Sequence, residues 1–219
     1  MRSVTLPPFR FYLISNEDQF PDQLFTLAPH LASRHLGLQI REKYKSPRDL
    51  TSFTEKLLHC LPPQHNVSLF INDRADLALN LGLSGVHLRE DSCELKKMHP
   101  VLRQYLSVGI STHSLEGVLT AEKQGADFVV FGPVFPTTSH PERTAVPGIE
   151  GLRQITDNCK IPVFALGGIT PESVEKCMKA GAYGIAAISG VWGANDPLKS
   201  LKDFLYQIER SRLKLRNGQ

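Results

Sequence analysis

Eight short apolar runs punctuate the chain, each separated from the next by a stretch of helical character. They are RFYLIS (10–15), LGLQIRE (36–42), SLFIND (68–73), GVHLR (85–89), SVGIST (107–112), FVVFGPVF (128–135), PVFALGG (162–168) and GIAAISG (184–190). Most lack strict polar–apolar alternation, the pattern of strands buried on both faces in a parallel sheet. Between the runs, Leu95, Met98 and Leu102 predict one helical face, and Leu198, Leu201, Leu205 and Ile208 another. Gly37, Gly82, Gly125 and Gly181 precede runs and are expected to close the preceding helices in the left-handed conformation. Thr170-Pro171-Glu172 reads as a helix start, with Thr as N-cap and Pro in the first turn. Eight strand–helix alternations with no linker and no shift of composition predict an α/β chain, a single-domain (β/α)8 TIM barrel over 1–219. A doubly wound open sheet is the competing arrangement.

Composition excludes several classes of function. A formal net charge of +3, with only the short Arg210–Arg216 tail basic, gives no footprint for nucleic acid. No apolar run approaches a bilayer span and MRSVTLPPFR lacks a signal-peptide core, so a soluble, cytoplasmic chain is expected. Cys60, Cys93, Cys159 and Cys177 show no metal or redox spacing and read as reduced structural thiols. Oligomeric state is not legible, and self-association stays open.

In such a barrel the site lies at the C-terminal strand ends. Polar residues gather there: Gln39, Arg41 and Lys43 after the second run, Asn72-Asp73 after the third, His87 to Asp91 at the fourth and Ser111-Thr112-His113 at the fifth. Alternation puts Gln39, Arg41 and Lys43 on one face and Ile40 and Glu42 on the other. Two cations beside an amide suit a pyrophosphate, although a solvated strand end with a local Arg–Glu pair fits equally simple rules. Asp73 with Glu90 and Asp91 suggests a Mg²⁺ site, or acids that balance Arg41, Arg74 and Arg89. Gly167-Gly168 before a helix start, together with Ser189-Gly190, suits a phosphate monoester held by backbone N–H groups. His87 fits a satisfied core histidine, His113 either a helix cap or a site residue, and Trp192 a residue packed over the mouth. Two anion sites on one rim suit an enzyme that joins a pyrophosphate ester to a phosphorylated nucleophile.

QIREK, FINDRADLALNLGLSGVHL, GISTHS, GADFVVFGPVFPTTS, ALGGIT and AAISG, in that order through nearly the whole chain, resemble thiamine phosphate synthase and its TenI-like relatives. The resemblance implies a (β/α)8 barrel that couples 4-amino-5-hydroxymethyl-2-methylpyrimidine pyrophosphate to 4-methyl-5-(2-hydroxyethyl)thiazole phosphate. It implies that Gln39, Ile40, Arg41, Glu42, Lys43, Asn72 and Ser111 bind the pyrimidine pyrophosphate, and that Thr137, Thr138, Ser139, Gly168, Ile188 and Ser189 hold the thiazole phosphate. Asp73 and Asp91 would be the Mg²⁺ ligands. The implied mechanism is dissociative: the bond to pyrophosphate breaks first, and the thiazole nitrogen traps the pyrimidinylmethyl cation.

Two departures from the family pattern bear on that chemistry. The usual HxGQxD at the fourth strand end is His87-Leu88-Arg89-Glu90-Asp91 here, with an arginine in place of the glycine and the acid one position early. A lysine usual after the T-x-T loop is His140. A cation about 4 Å from pyrophosphate contributes about 4 kcal/mol at an effective dielectric near 20, so this loss is expected to slow ionisation about a thousandfold unless a protonated His140, or Arg143, compensates. A TenI-like thiazole tautomerase is the alternative, suggested by YKSPRDL and SGVW, but that enzyme carries a histidine where this chain has Pro133. A non-catalytic binder of thiazole phosphate or thiamine phosphate is the third reading.

Overall fold

The computed structural model describes residues 6–33, 35–92, 95–98, 100–137 and 146–218. Eight parallel strands close into one barrel: β1 (Phe11–Ile14), β2 (Leu36–Ile40), β3 (Ser68–Asn72), β4 (Gly85–Leu88), β5 (Ser107–Thr112), β6 (Phe128–Phe131), β7 (Val163–Ala165) and β8 (Gly184–Ala187), with β8 pairing back onto β1. Helices fill the crossovers: α1 (Gln23–Leu27), α2 (Pro47–Cys60), α3 (Ala75–Asn80), α4 (Pro100–Tyr105), α5 (Leu115–Gln124), α6 (Gly148–Asn158), α7 (Val174–Lys179), the short α8 (Ser189–Trp192) and α9 (Pro197–Arg216). Closure rules out the open sheet. No helix among the described residues is long and apolar enough to cross a membrane.

Both faces of every strand are buried, which explains the missing alternation. Outward residues such as Leu38, Ile71, Val86, Ile110 and Val129 join the helix-facing core. Inward residues build a second cluster, in which Phe9, Tyr12, Phe70, Phe128 and Phe164 plug the barrel with ring centroids 5.2–6.0 Å apart. Inward glycines make room for those rings. A Cβ on Gly85, Gly109 or Gly184 would lie 2.4–2.6 Å from Phe70, Phe128 or Phe164. Gly37 belongs to this set: it pairs with Tyr12 inside the sheet, and a Cβ there would meet the Phe9 ring at 2.7 Å. The expected helix closure at Gly37 is therefore corrected, whereas Gly82, Gly125 and Gly181 do take positive φ after helices.

Other boundaries follow from local chemistry. The face expected from Leu95, Met98 and Leu102 is split between a 3₁₀ turn at Leu95–Lys97 and α4, because Pro100 cannot continue a preceding helix. FVVFGPVF ends as a strand at Phe131, where Pro133 has no N–H for a ladder. Val134 and Phe135 still donate to the Leu166 and Gly167 carbonyls (2.8 and 3.1 Å), so this loop is tied to the one after β7. Thr170 takes the N-cap place with Pro171 in the first turn, as the sequence predicts, and Ser173 Oγ accepts from the Thr170 N–H at 3.0 Å in the turn before α7. Trp192 is buried, and its indole N–H donates to the Ile14 carbonyl at 2.7 Å, joining the ends of β8 and β1.

Candidate active site

The last inward residues of β2 to β5 are Gln39, Asn72, His87 and Ser111, side by side around half of the barrel mouth. Gln39 Nε2 donates to Asn72 Oδ1 (3.0 Å), and its side-chain oxygen Oε1 is buried without a partner among the described residues. His87 bridges the Tyr12 hydroxyl through Nδ1 (3.3 Å) and Ser111 Oγ through Nε2 (2.9 Å). Burial lowers its pKa to about 3, so at neutral pH it is an uncharged ring that orients Ser111. The core-histidine reading of His87 holds, with this added task.

Beyond β2, the alternation sorts the QIREK stretch. Ile40 lies in the outer core, and Glu42 is only 6 % exposed. Ser15 Oγ and the Glu17 N–H (3.1 Å) both donate to the Glu42 carboxylate, and the Arg41 N–H donates back to Ser15 Oγ (2.9 Å). Burial raises the Glu42 pKa against the pull of those hydrogen bonds. Ile40 and Glu42 thus pin the loop, and neither turns its side chain to the mouth, so the contact with substrate expected of them would have to run through their backbone. Arg41 is half-buried and Lys43 exposed. Burial, aided by Arg89, lowers the Arg41 pKa while Glu42 and Asp73 oppose it. Arg41 is the largest influence lowering that of Lys43, with burial and Arg89 adding. Three cations therefore sense one another at this rim.

Asp73, in the left-handed region at φ 57°, is held by donors on every side. Asn72 Nδ2 (2.9 Å), the Arg89 N–H (3.3 Å), Arg89 Nε (2.9 Å) and Ser92 Oγ (2.5 Å) all donate to its carboxylate. Arg89 Nε also lies 3.6 Å from Asp91 Oδ1. Glu90 turns elsewhere, its Oε1 close over Gly117, where a Cβ would sit 2.0 Å away. Of the two candidate acids, Asp91 is the one that shares a partner with Asp73. A Mg²⁺ ion requires near-octahedral oxygens at about 2.0–2.1 Å. Here a guanidinium stands between the two carboxylates, its Nε 2.9 Å from Asp73 and 3.6 Å from Asp91, in the place such an ion would take. The residues as arranged do not fit the expected ion.

The opposite half of the mouth is a cavity of about 330 Å³ lined by Gly132, Thr137, Gly167, Gly168, Ile188 and Ser189, with His113 on its wall. Gly167 and Gly168 both have positive φ, and a Cβ on either would lie 2.3–2.6 Å from backbone after β6. Glycine is required there on both counts. His113 Nδ1 contacts the Gly132 carbonyl at 2.6 Å, while Ser114 caps α5, so the capping reading of His113 gives way to a place in the cavity. Thr138, Ser139, His140 and Arg143 lie outside the described residues.

The family model for thiamine monophosphate synthase matches residues 11–191. The chain belongs to the thiamine monophosphate synthase family. Among relatives, a putative thiamine-phosphate synthase 2 from Aquifex aeolicus is 39 % identical over 82 % of this chain and 96 % of its own length. The thiamine-phosphate synthase of Pyrococcus furiosus is 37 % identical over 79 % of this chain and 82 % of its own. A solved thiamine phosphate pyrophosphorylase from Pyrococcus furiosus superposes with a TM-score of 0.80 at 31 % identity, covering 94 % of this chain and 98 % of that one. Within this thiamine monophosphate synthase barrel, sequence reasoning missed Ser15 and Ser92, which hold Glu42 and Asp73. Their signal was position alone, each beside a strand end.

Proposed function

We propose that the chain is a thiamine-phosphate synthase, coupling 4-amino-5-hydroxymethyl-2-methylpyrimidine pyrophosphate with 4-methyl-5-(2-hydroxyethyl)thiazole phosphate to give thiamine phosphate and pyrophosphate. The observation that carries it is the pairing of a cationic, amide-lined half-mouth with a glycine-walled cavity on the same barrel rim. In this reading Arg41 and Lys43 hold the pyrophosphate and stabilise it as the C–O bond to the pyrimidine methylene breaks. Gln39, Asn72 and Ser111 position the pyrimidine, with Gln39's unpartnered oxygen available to a donor on the ring. Thr137, Gly168, Ile188 and Ser189 hold the thiazole phosphate, helped by backbone N–H groups, so that its nitrogen meets the cation as it forms. Thr138, Ser139 and His140 are assigned to that half by resemblance. No side-chain nucleophile is needed.

Purified protein incubated with both substrates, with Mg²⁺ and with EDTA in parallel, should form thiamine phosphate. Tight binding of thiazole phosphate without product in either condition would overturn the proposal. Conversion of the thiazole carboxylate phosphate tautomer would then point to the isomerase, and its absence to a binding protein.

A further inference from the structure

Arg89 is more than a departure from a sequence pattern. Its backbone N–H and Nε both donate to Asp73, and the same Nε approaches Asp91. Ser92 and Asn72 take up further lone pairs of Asp73, so the carboxylate is committed to protein donors. The Arg89 side chain is nonetheless 56 % exposed, and both carboxylate contacts run through Nε. Among the described residues no hydrogen bond engages the terminal nitrogens of the fork, which puts them at the disposal of a ligand in the mouth, within electrostatic reach of Arg41 and Lys43.

We propose that Arg89 stands in for a divalent cation: held between Asp73 and Asp91, its guanidinium is the fixed positive charge that receives the pyrophosphate group. A guanidinium fork pairs with two phosphate oxygens at once, which suits it to this place. A second cation would have to displace Arg89 and would meet Arg41 and Lys43, so the site excludes the metal it resembles. This inference rests on the synthase reading for its chemistry, but its first two tests need only binding.

Inorganic pyrophosphate, titrated calorimetrically in EDTA, should bind the wild type. Arg89→Ala should weaken that binding at least tenfold, and Arg89→Lys should recover part of it. Mn²⁺ alone, followed by loss of its free spin-resonance signal, should bind Arg89→Ala at least tenfold more tightly than wild type. Unchanged pyrophosphate affinity in Arg89→Ala, or wild-type Mn²⁺ binding as tight as the variant's, would overturn the proposal. For turnover, wild type should keep most of its rate in EDTA, whereas Arg89→Ala should lose at least tenfold in EDTA and regain it with Mg²⁺. A wild type that makes thiamine phosphate only with Mg²⁺ would sink the inference and leave the synthase standing. A wild type that makes none in any condition, yet binds pyrophosphate through Arg89, would do the reverse.

Discussion

The two halves of the barrel mouth are built by different means. From β2 to β5 the inward residues nearest the mouth are Gln39, Asn72, His87 and Ser111; from β6 to β8 they are Val130, Leu166 and Ala186. The first half presents side chains, including the half-buried Arg41, and needs a supporting network to hold them: Ser15 and Glu42 behind Arg41, His87 and Tyr12 behind Ser111. The second half presents backbone, with Gly167 and Gly168 closing against the chain after β6 where no Cβ fits. A multiply charged leaving group calls for full charges held in place, whereas a phosphate that is only bound can be met by backbone dipoles. The division teaches that substitutions should act on one half at a time.

Removing charge from the polar half should break the comparison most sharply. Arg41→Ala is expected to cut synthase turnover about a hundredfold, since a cation near pyrophosphate contributes several kcal/mol. The KM for thiazole phosphate should stay within about twofold, and steady-state kinetics with each substrate varied would check both. Gly168→Ala should do the converse. It puts an L-residue at φ 61° with its Cβ 2.3 Å from the Pro136 carbonyl, and the backbone conformation alone costs about 1–2 kcal/mol. Thiazole phosphate binding should weaken roughly tenfold or more by calorimetry, with pyrophosphate affinity kept.

His87 sharpens the comparison through pH. Its folded pKa, about 3, lies well below the ordinary 6.5. The unfolded chain therefore takes up the proton first, and stability is lost as pH falls from about 6.5 toward 3. This group alone should cost about 2 kcal/mol between pH 7 and pH 5 in urea unfolding. His87→Gln should remove that share of the pH slope; an equal slope in the variant would mean that the ring is not held neutral. The smallest effect is expected at the loop: with a protonated His140 or Arg143 compensating in part for the lysine, His140→Lys should raise turnover modestly, an unchanged rate would show that another cation already serves, and a rise toward a thousandfold would show that none does.

Much of this was legible in the residues, for physical reasons. Eight apolar runs buried on both faces leave few arrangements other than a closed parallel barrel, and the polar residues at their ends mark the mouth. Gly167-Gly168 announced itself because two adjacent glycines before a Thr-Pro cap are costly without a purpose. Gly37 was misread because a glycine before a hydrophobic run looks the same whether it ends a helix or makes space for Phe9. The alternation that sends the Ile40 and Glu42 side chains away from the mouth was legible, whereas the Ser15 hydroxyl that holds Glu42 was not, because Ser15 meets Glu42 only once β1 and β2 are paired. The Arg89 bridge was hidden for the same reason: Asp73 and Asp91 meet only once β3 and β4 are paired. Before folding, acids near a cation read equally well as a metal site or a balanced surface.

The central claim is that one rim holds two anionic substrates at once, in separate halves. Thiazole phosphate titrated into the protein with and without saturating inorganic pyrophosphate tests this directly. The account predicts one thiazole phosphate bound per chain, with an affinity that pyrophosphate leaves unchanged or strengthens. Displacement of thiazole phosphate by pyrophosphate would mean a single shared anion site and would contradict it.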